Sequence, residues 1–227
     1  MEKTAPGQTF IRWKPTGLYN SMIHPLINYK VKGFLWYQGE SNTGKPKEYG
    51  DLLTTMIHDW RSKWNEKDAP FLIVQLANFM EAKSQPVESN WAELRDQQRK
   101  VSLTVPQTGL AVIIDAGEWN DIHPDNKKDV GERLALLALD KVYQQKIVSS
   151  GPIYQSAEIK ENKISIRFNN IGSGLKSNDG LALKEFAIAG ADKKFVWAKA
   201  IIENNEVIVW HDAITKPKYV RYAWADN

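Results

Sequence analysis

The chain has 227 residues, 42% hydrophobic and 25% charged, with 30 basic against 27 acidic side chains and a formal net charge of +3. That length suits one large domain or two modest ones whose core needs no covalent staples, and the interspersed charge argues against the basic stripe of a nucleic-acid binder. There is no cysteine, which excludes disulfides and thiolate metal sites, and no apolar run reaches the roughly 20 residues of a membrane span.

MEKTAPGQTF opens the chain without the apolar stretch of a signal peptide, so either the protein is cytoplasmic or its beginning lies upstream. Leu18, Met22, Leu26 and Ile27 form an apolar stripe that predicts a helix over 16–29. Gly33–Tyr37 reads as a strand. Tyr49, Leu52, Leu53, Met56, Ile57, Trp60 and Trp64 recur at three and four, an amphipathic helix that Ala69-Pro70 breaks. FLIVQL (Phe71–Leu76) and GLAVIID (Gly109–Asp115) are short continuous apolar runs, with a helix between them at 90–103. Asn126 caps a further helix, with Asp129 three residues on. Short apolar strands alternating with helices predict an α/β parallel sheet covered on both faces. Three strands are few for such a sheet, and the chain opens on a helix, so the sheet is expected to be incomplete at its N-terminus.

From Gly151 the rhythm changes. KISIRF, FAIAG, KFVWAKAII, EVIVW and YVRYAW are β-rich, with turn signals at Asn204-Asn205 and Asn178-Asp179-Gly180. The expected division is an α/β domain over 1–150 and a small antiparallel β-sandwich domain over 151–227.

In parallel sheets, ligands bind beyond the carboxyl ends of the strands. All three runs end in polar clusters: Gln38-Gly39-Glu40-Ser41-Asn42, then Gln75 and Asn78, then Asp115 and GEWNDIHP (Gly117–Pro124). Asp121 and His123, two apart in an extended loop stiffened by Pro124, point the same way. The carboxylate would hold one ring nitrogen while the other faces a nucleophile, the alternative being an incidental surface pair.

WYQGESN, followed by DIHP-x-x-K-x-x-VGERLA (Asp121–Ala135), resembles the SGNH/GDSL hydrolases, specifically the sialate O-acetylesterase branch. LYNSMIHPLI (Leu18–Ile27) and LRDQQRKV (Leu94–Val101) are similar to that branch too. The resemblance covers about Thr16–Ala138. It implies a three-layer, flavodoxin-like parallel sheet and a serine esterase that removes O-acetyl groups from sugars, sialic acid above all. It implies no cofactor, an O-acetylated sugar as partner, and an extracytoplasmic location, periplasmic or secreted.

By the same resemblance His123 is the general base, Asp121 orients it with a backbone carbonyl as a possible sharer of that job, and Gln38 offers an amide to the oxyanion. Glu40, Ser41 and Asn42 brace the loop or meet substrate, as Asn78 does at its strand end. Arg95 is a candidate partner for Glu40, with a solvated surface charge as the alternative. The branch's nucleophile block, G-Q-S-N-M, and its second, glycine-bearing block have no match here, which predicts the C-terminal part of a longer esterase whose serine lies upstream. Ser41 is the competing nucleophile, since Gly39-Glu40-Ser41 begins a G-x-S-x-G elbow, but position 43 is Thr. Ser21, inside a helical stripe, is a weaker competitor.

His24, His58 and His211 lack the pairing of a zinc site, so no metal is expected. Two further readings stay open. One is an acetyl-xylan or other polysaccharide esterase. The other is a non-catalytic carbohydrate-binding fragment that uses aromatics such as Trp197, Trp210 or Trp224.

Overall fold

The structure, a computed structural model, describes residues 14–227. Three parallel strands, β1 (Phe34–Tyr37), β2 (Phe71–Val74) and β3 (Thr108–Ala111), form a sheet in that order, with Phe34, Phe71 and Thr108 side by side. Helix α1 (Pro46–Lys63) lies between β1 and β2, α2 (Asn90–Thr104) between β2 and β3, and α3 (Lys127–Lys141) follows β3.

β2 is buried along its whole length because both of its faces are covered. Side chains alternate along a strand, so Phe71 and Ile73 enter a core with Tyr49, Leu53 and Ile57 of α1 and Leu94 and Val101 of α2. Leu72 and Val74 face α3, where Leu137 and Val130 receive them. Each such fully buried side chain contributes about 1.5–3 kcal/mol. Phe34, Trp36, Trp60, Trp64 and Phe71 pack edge and face, closing the α1 side. Pro46 starts α1, where its missing N–H costs nothing. The Ser89 hydroxyl caps α2 by accepting from the Ala92 amide, and Asn126 caps α3 by accepting from that of Asp129.

The helix expected over 16–29 is shorter and irregular. A π-turn at Tyr19–Ile23 passes into a 3₁₀ turn at His24–Leu26. Pro25 has no amide hydrogen to continue an α-helical ladder, and Leu18, Met22 and Leu26 stay exposed.

The second half is antiparallel. One sheet runs β4 (Ile153–Lys160), β5 (Lys163–Asn169), β9 (Glu206–Trp210), β8 (Lys199–Glu203). The other runs β10 (Tyr219–Tyr222), β6 (Phe186–Ala189), β7 (Val196–Trp197). Ile164, Ile166, Val207 and Val209 of the first meet Phe186 and Ile188 of the second in one core. Asn204 and Asn205, both at positive φ, close the β8–β9 hairpin over the Glu203–Glu206 pair, the conformation a two-residue loop demands. Two departures from the sequence reading stand out. β4 was not expected, and all eight of its residues are exposed. KFVWAKAII is two strands, because the chain changes sheets at Ala198.

Candidate active site

All three parallel strands deliver their loops to the same edge of the sheet. After β1 the chain turns at Gly39 into a 3₁₀ turn, Glu40–Asn42. Gly39 has φ +154°, and a β-carbon there would sit 2.9 Å from Leu94 Cδ2, so this turn needs glycine. The loop is held from beneath. The Gln38 carbonyl accepts from the Tyr49 hydroxyl of α1 at 2.8 Å and from Gln98 Nε2 of α2 at 3.1 Å. Gln98, fully buried, also accepts from the Leu76 amide at 2.9 Å, tying the ends of β1 and β2 together.

The Gln38 side chain turns the other way. Its Nε2 donates to Asn42 Oδ1 at 2.7 Å, which fixes the amide plane. A primary amide carries two hydrogens, so one remains for an oxyanion. Glu40 is half-buried and its carbonyl accepts from the Thr43 hydroxyl at 2.9 Å. Burial, and secondarily the Glu40 carboxylate, raises the pKa of the Tyr37 phenol at the end of β1. Ser41 is exposed, and no hydrogen bond from its hydroxyl to His123 exists among the described residues.

Beyond β3, Asp115 forms a bidentate pair with Arg133 of α3, at 2.5 and 2.8 Å. That bonding holds the Asp115 carboxyl below the usual range. Gly117 then donates its amide to Asn78 Oδ1 at 2.7 Å and approaches the Asn78 backbone too closely for any side chain. Met80 donates to the Trp119 carbonyl at 2.8 Å, and a tight bridge joins Glu118 to Asp121.

Asp121 Oδ1 accepts from the His123 backbone amide at 2.8 Å and stands 3.6 Å from His123 Nδ1. The carboxylate thus shapes the loop first, and its contact with the ring is longer than a hydrogen bond. Catalytic hydrogen bonds often tighten only with substrate bound. The imidazole itself is 88% exposed. Lys127, four residues on, donates to the Pro124 carbonyl at 2.5 Å and sits 5.5 Å from the Tyr37 ring centroid. The histidine loop is therefore drawn to the end of β1, where Gln38 lies.

Arg95 departs from its expected place. It pairs with neither Glu40 nor solvent: it is 5% exposed and donates to the carbonyls of Ala223 and Ala225. The same face of α2 meets both places: Gln98 reaches the β1 loop, while Arg95, one turn earlier, reaches the segment that follows β10. Burial lowers its pKa to about 10, with nearby Asp226 opposing the shift, so it stays charged at neutral pH. Asn78 likewise reaches this segment, donating to Asn227 Oδ1 at 2.7 Å. Gln98 and Gly117 were not singled out as site residues from the sequence. The signals for Gln98 were its place in LRDQQRKV and a glutamine on the buried face of an amphipathic helix. Among the described residues, no group of three His, Asp or Glu side chains could hold a metal ion.

A strand-end rim with a held amide on one loop and a carboxylate–imidazole pair on another fits the class of carbohydrate esterases. The model of the carbohydrate esterase family of sialic acid-specific acetylesterases matches residues 2–140, and the chain belongs to that family. A carbohydrate acetylesterase from Xanthomonas citri superposes with a TM-score of 0.88 at 45% identity, over 94% of this chain and 50% of its own. The sialate O-acetylesterase of Mus musculus is 33% identical over 158 residues, 63% of this chain and 29% of the mouse protein. That of Homo sapiens is 32% identical over 166 residues, 66% of this chain and 32% of the human one. The chain thus spans a minor part of the length of these curated relatives.

Proposed function

We propose that these residues form the base-and-amide arm of a serine carbohydrate esterase of the SGNH type, which removes O-acetyl groups from sialic acid. In this reading the nucleophilic serine comes from outside the described residues, the antiparallel part over 151–227 is a separate domain, and the whole protein works outside the cytoplasm. The observation that carries it is the exposed His123 ring beside Asp121, on the rim where Asn42 fixes the Gln38 amide.

The serine oxygen attacks the acetyl carbonyl carbon as His123 takes its proton, and the oxyanion gathers at the free Gln38 N–H. Collapse expels the sugar alkoxide, which receives that proton from His123. Water, deprotonated by the same imidazole, then cleaves the acyl-serine to acetate. Ser41 is set aside because it sits on a 3₁₀ turn without the strand-to-helix elbow that activates a serine. The alternative substrate on the same scaffold is an acetylated polysaccharide such as xylan, because the name of the relative at 45% identity specifies a carbohydrate but no particular sugar.

The test is release of acetate and p-nitrophenol. With the serine-bearing segment supplied, p-nitrophenyl acetate should be hydrolysed, His123→Ala should lower kcat by about 10³-fold or more, and Gln38→Ala by about 10²–10³-fold. Hydrolysis by residues 1–227 alone that disappears in Ser41→Ala would sink the external-serine reading. O-acetylated sialic acid against acetylated xylan decides the sugar.

A further inference from the structure

The antiparallel half has no part in the reaction as described, yet its last residues reach the rim. After β10 the chain turns at Ala223, at φ +48°, and runs across α2 and the end of β2. Arg95 grips the carbonyls of Ala223 and Ala225. A buried cation is costly unless it is paired, so this grip is not interchangeable with solvent. Next, the Asp226 carbonyl accepts from the Phe79 amide at 3.0 Å, and its Oδ1 accepts from the Ser89 hydroxyl, the cap of α2, at 2.5 Å. Finally Asn227 Oδ1 accepts from Asn78 Nδ2 at 2.7 Å.

That last bond is directional. A primary amide is a donor at one end and an acceptor at the other. The Gly117 amide can only donate, so it takes the Asn78 oxygen at 2.7 Å, and the Asn78 NH₂ is left pointing at Asn227 Oδ1, which holds it from the other side. Gly117 opens the loop that carries Asp121 and His123.

We propose that Ala223–Asn227 is a positioning strap. Anchored by Arg95, it holds the Asn78 side chain in place against Gly117 and, through that bond, the placement of the His123 loop. The antiparallel half thereby serves the reaction as a brace on the general base. This rests on the function proposed above for its catalytic meaning, while the mechanical link stands on the hydrogen bonds alone.

The discriminating variant is Asn227→Ala, which removes the acceptor but leaves the Arg95 anchor untouched. Amide hydrogen exchange of the 227-residue chain, read residue by residue by NMR, should show Gly117 exchanging about 5-fold faster. The imidazole resonances of His123 should shift, and the melting temperature should hardly move. Asn227→Asp keeps an acceptor oxygen and should restore wild-type protection. In the protein carrying its serine, Asn227→Ala should lower kcat with KM little changed. Unchanged exchange at Gly117 in a folded Asn227→Ala protein would overturn the strap, as would an acceleration spread evenly over all amides. Because exchange is read without any ester, failure of the esterase reading leaves this result separately legible.

Discussion

Gln98 shows how one buried polar side chain can build a site it does not enter. It accepts from the Leu76 amide and donates to the Gln38 carbonyl, joining two strand ends beneath the rim. Gln98→Leu conserves bulk but leaves the Leu76 N–H without a partner, and a buried unsatisfied amide costs about 1–3 kcal/mol. The expected result is an unfolding free energy lower by that margin, seen as a lower urea midpoint with an unchanged m-value, together with, on the proposed function, reduced turnover of the serine-bearing protein as the Gln38 loop loosens. Stability equal to wild type would mean that water replaces the glutamine. The contrast with His123 explains what could be read in advance. Asp121-x-His123 stands out locally, because two reactive side chains two residues apart in a Pro-stiffened loop are visible as a string. Gln98, Asn78 and Arg95 take their meaning from partners as much as 149 residues away, and spacing carries no trace of such pairs. Hence the sequence offers Arg95 either Glu40 or solvent, and the structure gives it neither.

At the scale of elements, a signal existed wherever burial was one-sided or complete. β2 and α1 are legible because their apolar residues follow the period of what covers them. β4 was hard to read: its alternation is confined to Ser156–Lys160, every residue is exposed, and its Glu158 and Lys160 are what an unpaired edge uses against aggregation. The switch of sheets at Ala198 was equally silent, since a strand leaving one sheet for another keeps its composition. The join of β3 to α3 carries a pH prediction. Asp115, bonded in two places by Arg133, has its carboxyl pKa held below the ordinary value. A depressed carboxyl contributes stability above its unfolded pKa of about 3.9 and loses it as pH falls through the folded value. The pair is partly exposed, so the contribution is about 0.5 kcal/mol. Thermal melts between pH 7 and pH 3 should show a steeper acid loss for wild type than for Asp115→Asn, the two curves converging at the acid end. Parallel curves would place the acid sensitivity elsewhere.

Across the whole molecule, the two halves are stitched together by side-chain bonds as well as by the strap. Arg221 of β10 pairs with Glu88 at 2.7 Å and Trp197 donates to the Ser84 carbonyl at 3.0 Å, both on the side where the strap crosses α2. Within the parallel sheet, β1 is an edge strand among the described residues. Leu35 pairs in register with Leu72, so both lie on the α3 face, yet α3 covers Leu72 while Leu35 is 65% exposed. Tyr37 shares that face, and Leu18, Met22 and Leu26 are bare nearby in sequence. An apolar strand with a free edge is a template for pairing with another chain. The chain by itself is therefore expected to bind a hydrophobic dye and to self-associate with rising concentration. Leu35 buries little, so Leu35→Lys should cost almost nothing in melting temperature while it suppresses association in sedimentation velocity, by placing a charge where a second strand would pack. If the wild-type chain sediments as a monomer at every concentration and leaves the dye dark, the β1 face is protected by something other than pairing. The lysine variant would then behave as wild type.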